Sequence, residues 1–162
     1  MVDPDTLLAS FVQSADAPTG DWWLDVPVGY VLEEQAGIVT DGTDHVDAVC
    51  LVSRDPDPPE RYRFNRSGVE FVDESKRPSG RRGFRNVAAR TVFDGETAVL
   101  VVASPGPPDM TGIGRLVAYR ELIRDNWNVD VAGLVLLARG SDRVVERACK
   151  RLGVDVVRPD VG

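Results

Sequence analysis

Residues 98–122 read AVLVVASPGPPDMTGIGRLVAYREL. Residues 98–103 are all apolar, and a Pro/Gly-rich loop bounds them. A short unbroken apolar run of this kind predicts a strand buried on both faces. After the loop, apolar residues recur at 113, 116, 117, 119 and 123, which is helical spacing. The stretch therefore predicts a central strand that ejects the chain at the sheet's edge and returns it as a helix. Ligands often bind at such an edge. Here the strand ends in Val102, Ala103 and Ser104, groups with little to offer a ligand.

Reading outward toward the C-terminus, VAGLVLLAR (131–139) predicts a second buried strand. Ser141 is placed to cap a helix over 142–152, and Gly153 stops it. VDVVRP (154–159) predicts a last short strand. Strand, helix, strand, helix, strand implies an α/β architecture with a partly parallel sheet. Toward the N-terminus, NVAARTVFDGETAVLVVAS (86–104) predicts a hairpin turning at Asp94-Gly95. Its first arm, ending at Phe93, is then one neighbour of the central strand, and 134–137 is the other. RYRFNR and VEFVD alternate polar and apolar residues and predict a ribbon turning near Ser67-Gly68. HVDAVCLVS (45–53) is strand-like. PVGYVLEEQAG (27–37) predicts a short helix, with Pro27 in its first turn and Gly37 at its end. A helix over 5–14 opens the chain, and Trp22 and Trp23 serve as packing anchors.

The chain of 162 residues is long enough for one domain with a real core. No apolar run approaches bilayer length, and the acidic N-terminus lacks the pattern of a signal peptide. No membrane partner and a cytoplasmic location are expected. Cys50 and Cys149, far apart and without metal spacing, read as buried thiols. Formal charge is −7, and only Lys76 and Lys150 of the 19 basic residues are lysines. Aspartate outnumbers glutamate, a bias that resembles haloarchaeal proteins, whose acidic surfaces stay hydrated in molar salt. KRPSGRRGFRNVAAR (76–90) carries six positive charges and no negative one. It reads either as a solvated loop or as a phosphate-binding segment, since arginine makes bidentate contacts to phosphate. Phe84 lies among its cations and is suited to stacking on a base.

TGIGR (111–115) lacks the third glycine of a dinucleotide loop and the Gly-Lys-Ser/Thr of a Walker loop. Gly112 and Gly114 are explained equally by a loop opening a helix. His45, the single histidine, has no G-x-S-x-G elbow to serve and reads as a polar residue opening a strand.

Four parts of the chain together resemble the PD-(D/E)xK nuclease superfamily, over roughly 27–158. They are the short helix in YVLEEQAG; the strand opening HVDAVCLV; the strand and helix in AVLVVASPG…GIGRLVAYREL; and the closing strand, helix and strand in GLVLLARGSDRVVERACKRLGVDVV. The resemblance implies a single domain of restriction-endonuclease-like fold, a mixed central sheet flanked by helices, with residues 1–26 as an N-terminal extension. It puts Asp47 at the family's metal-binding aspartate, with Glu33 and Glu34 as further candidate ligands. In the family two carboxylates hold Mg²⁺, which polarises the phosphate and generates hydroxide, and a lysine orients the attacking water. Val102 stands where the acidic ligand belongs and Ser104 where the lysine belongs. Arg115 replaces the helix glutamine, and Tyr119 is kept. In a rival alignment 85–104 is the catalytic hairpin, and the aspartate falls near Val87.

Three readings follow. One is a nuclease-derived protein that has lost most metal chemistry and binds DNA or RNA through Arg77, Arg81, Arg82, Phe84, Arg85 and Arg115. Another is an active Mg²⁺ nuclease using Asp47 with a migrated E-x-K at Glu74 and Lys76. The third is a structural or interaction subunit whose basic loop docks an acidic protein partner, with a homodimer as the alternative partnership.

Overall fold

The computed structural model describes residues 2–28, 32–33, 37–38, 44–53, 62–65, 68–71 and 94–161. In chain order these hold α1 (Pro4–Val12), β1 (Asp21–Val28), β2 (Leu32–Glu33), β3 (Gly37–Ile38), β4 (Asp44–Leu51), β5 (Tyr62–Asn65) and β6 (Gly68–Phe71). Then come β7 (Thr97–Ala103), α2 (Met110–Trp127), β8 (Asp130–Leu137), α3 (Arg143–Leu152) and β9 (Val154–Val157). Five strands form one mixed sheet in the order β1-β4-β7-β8-β9. Pairing is antiparallel from β1 through β4 to β7, and parallel from β7 through β8 to β9. The parallel half needs a crossover between strands, and α2 and α3 supply them.

The apolar run is the centre of this sheet, as its composition predicts. Leu100, Val101 and Val102 are almost wholly buried. Alternate residues face opposite ways. Ala98, Leu100 and Val102 pack with Ile113, Leu116, Tyr119 and Ile123 of α2 and with Val145 and Cys149 of α3. Val101 and Ala103 pack with Leu7, Leu8 and Phe11 of α1. The result is three layers, with α1 on one face and α2 and α3 on the other. α1 draws the N-terminal residues onto the sheet, and Trp22 meets Phe11 edge to face at 6.1 Å.

Three expectations are corrected. The strand beside β7 is β4, with Ala48 opposite Val101, and not an arm ending at Phe93. Residues 87–92 of that arm lie outside the described residues, as does Phe93. The described residues of the expected helix over 27–37 lie in strands. Pro27 and Val28 end β1, where they pair with His45 and Asp44, and Leu32–Glu33 pairs with Gly37–Ile38. Pro27 is tolerated there because β1 is an edge strand. Finally, α3 is capped by Asp142, whose carboxylate accepts from the Val144 and Val145 amides, and not by Ser141. Gly153 ends α3 in the left-handed region at φ 73°, as expected. β5 and β6 form the expected ribbon, with Asn65 opposite Gly68.

Cys50 and Cys149 are buried free thiols. Burial, with Asp21 nearby, pushes the Cys50 thiol up to about 12. No described helix is long and apolar enough to cross a membrane.

Candidate functional site

The β4–β7 ladder closes at Ala48 and Val101. Two residues further along β7, the Ala103 amide donates to Oδ2 of Asp47 at 2.9 Å. The Asp47 side chain thus extends the ladder at the carboxyl end of the central strand. From α2, Nη2 of Arg115 lies 3.6 Å from Oδ1 of the same carboxylate. That distance makes an ion pair rather than a direct hydrogen bond. About a third of each side chain remains exposed.

Arg115 is itself held from below. Its Nε donates to the Tyr119 hydroxyl at 2.9 Å, and the guanidinium carbon stands 5.4 Å from that ring's centroid. The pair is four residues apart on α2, so the helix geometry makes the contact. The Tyr119 hydroxyl is also coupled electrostatically to the carboxylate of Asp44, which accepts the His45 amide at 2.9 Å. The bonded network runs Tyr119, Arg115, Asp47 and the Ala103 amide, with the Asp44 charge acting on Tyr119 and Arg115.

Burial and Asp44 push the Tyr119 phenol up to about 12, against the opposing pull of Arg115. Burial works to raise Asp44. Tyr119, the His45 amide and the charges of Arg115 and His45 outweigh it and hold the carboxyl below its usual value. For Arg115, burial opposes the charge, and Tyr119 with Asp47 outweighs it, raising the guanidinium above its ordinary value. All three groups keep their usual charge at neutral pH.

Two residues assigned separate roles from sequence, Asp47 for metal and Arg115 for nucleic acid, are brought together as partners. Glu33 enters in a strand and not in a helix. Glu34, Glu74, Lys76, Arg77, Arg81, Arg82, Phe84 and Arg85 lie outside the described residues. Asp44 was missed; its signal is its place three positions before Asp47 at the opening of the same strand.

The described donors do not fit a metal. One Asp47 oxygen holds the Ala103 amide, and the other faces a cation. Val102, apolar and 1% exposed, offers no ligand. Among the described residues no three His, Cys, Asp or Glu are grouped to hold an ion. Ser104 extends the parallel β7–β8 ladder instead. Its amide donates to the Leu137 carbonyl at 2.8 Å.

Of the two glycines of TGIGR, Gly112 has structural work, and a Cβ on Gly114 would meet nothing. The Gly112 amide is taken by the carboxylate of the cap residue Asp109 at 2.7 Å. A Cβ on Gly112 would lie 2.8 Å from a methyl of Leu136, so glycine lets α2 approach the sheet. A capping carboxylate at this helix end competes with any phosphate. Compared with protein-family models, with curated proteins and with solved structures, the chain matches none.

Proposed function

We propose that the chain is a non-catalytic protein of restriction-endonuclease-like fold, related to the PD-(D/E)xK nucleases, that binds nucleic acid. The observation that carries the reading is the Arg115–Asp47 pair at the carboxyl end of β7. Asp47 is the residue that the resemblance assigns to the metal, and a guanidinium supplies positive charge beside it. The order of β7, α2, β8, α3 and β9 supports the fold half of the reading, since three of the four resembling parts fall on elements of the expected type. The strand in place of the Glu33 helix counts against it.

The test is a cleavage assay on single-stranded and duplex DNA and RNA with millimolar Mg²⁺ or Mn²⁺, from low to molar KCl. The expected result is no cleavage above a metal-free control. Cleavage abolished by Asp47→Ala or Lys76→Ala would overturn the proposal and establish the active nuclease with the migrated Glu74 and Lys76.

A further inference from the structure

The outer face of α3 carries exposed cations that pair with no described acidic residue. Arg143, Arg147, Lys150 and Arg151 are all exposed. Their spacing of four, three and one residues places them within about 100° of the helix circumference, at 3.6 residues per turn. From first to last they span about 12 Å of helix axis. Val145 and Cys149 lie on the opposite side, buried against the sheet.

The acid that could neutralise this face is turned away from it. Glu146 sits three residues after Arg143 and four before Lys150, both good pairing distances on a helix. It bonds Arg158 and the Asp142 amide instead. Among the described residues, none of the four cations makes an ion pair. Arg143, Arg147 and Arg151 repeat at four-residue intervals, where like charges repel along a helix face. Residues 139–158 hold six basic residues against three acidic, in a chain of net charge −7. A cationic row that no described acid answers, and that stands out against an acidic protein, points to a partner.

We propose that this row binds the phosphodiester backbone of nucleic acid. The inference rests on the nucleic-acid half of the function proposed above and supplies a surface for it distinct from residues 76–90. A nucleic-acid strand presents closely and regularly spaced negative charge, which a straight row of cations can track along a helix. Three of the four are arginines, whose planar fork meets two phosphate oxygens at once. Such contacts position the backbone and carry no sequence preference.

The test compares four proteins: wild type, R143Q/R147Q/K150Q/R151Q, R81Q/R82Q/R85Q and R143K/R147K/R151K. Binding to a fluorescent oligo-dT strand and to a mixed-sequence duplex is titrated with KCl, from the lowest salt at which circular dichroism shows the protein folded. The α3 variant should bind roughly 10- to 1,000-fold more weakly, and its log–log salt slope on duplex should fall by about 0.9 for each phosphate no longer neutralised. R143K/R147K/R151K, which keeps the charges, should retain the slope. If wild type binds and the α3 variant binds equally well, this inference fails while the proposed function stands. If wild type binds neither oligonucleotide, both fail, and an acidic protein becomes the reading of this face.

Discussion

Arg115 on α2 and Arg147 on α3 stand on helices that pack against the same face of the sheet. Their surroundings differ. Arg115 lies between Asp47 and Tyr119, at the carboxyl end of the central strand, with its charge answered locally. Arg147 is exposed in a row of like charges. The contrast separates two uses of a cation. One holds a strand end, a helix and a second strand in register. The other contributes nothing to that packing and leaves its charge available. A basic residue identified from sequence belongs to one class or the other only once its partners are known.

The hardest way to break this comparison is to put a charge into the closed region. Val102 stands where the resemblance calls for an acidic ligand, yet it is packed among Leu116, Tyr119 and Leu136. Val102→Asp should not recreate a metal site. It buries a carboxylate near Asp47 and should destabilise the fold by about 3–5 kcal/mol. For a chain of this size each kcal/mol lowers Tm by roughly 2–4 °C. Thermal melts followed by circular dichroism, with and without Mg²⁺, are the measurement. A variant that melts within a few degrees of wild type and is stabilised by Mg²⁺ would mean that this strand end accepts charge as readily as the surface of α3.

Much of the scaffold around Val102 was legible in sequence. β7 and β8 are short apolar runs buried on both faces, and α2 and α3 show helical spacing, so local pattern and tertiary role agree. Residues 27–37 misled because Val28, Val31 and Leu32 also fit a helical face, and Pro27 suits a first helical turn as well as an edge strand. The neighbour of β7 misled for a different reason. A hairpin from Asp94-Gly95 is local, whereas the pairing with β4 joins residues about fifty positions apart, and no local signal sets that register. The site suffered the same way. Asp47 and Arg115 were each legible as charged residues near a strand end, but their meeting depends on β4 lying beside β7. Their joint role became visible only with the sheet order.

Comparing Arg115→Gln with Arg147→Gln sharpens the contrast directly. Arg115→Gln removes the guanidinium from both Asp47 and Tyr119. Asp47, about a third exposed, recovers some hydration while Tyr119 stays buried, so the expected cost is about 1–2 kcal/mol. Arg147→Gln should stay within about 0.5 kcal/mol of wild type, as exposed substitutions do. The readout is urea unfolding at neutral pH. A double-mutant cycle with Asp47→Asn should give a coupling of at least about 0.5 kcal/mol for Arg115. The same cycle with Arg147 should give none. Equal costs for the two arginines would remove the distinction between them.

Within the closed region the smallest effect expected is that of Tyr119→Phe, which keeps the ring under Arg115 and deletes only the hydroxyl. At neutral pH the loss should be about 1 kcal/mol, the usual net worth of one hydrogen bond. The pH dependence is more diagnostic. The phenol is raised from 10.0 to about 12 in the fold, so it contributes stability that is fully present below pH 10 and is lost as pH rises toward about 12. Phenylalanine has nothing to ionise, so that alkaline loss should disappear from the variant. Cys50, raised from 9.0 to about 12, contributes its own loss over an overlapping window, which makes the difference between the two proteins the informative quantity. On the acid side the sign reverses. The Asp44 carboxyl is held below 3.8 in the fold, so its contribution is present above that value and is lost as pH falls through the folded pKa. Without the hydroxyl that helps to hold it there, the acid loss should become shallower. Urea unfolding of both proteins across the two windows reads this out. Parallel curves, offset by a constant and converging in neither window, would mean that Tyr119 acts by packing alone and that Asp44 lies outside the network around Arg115.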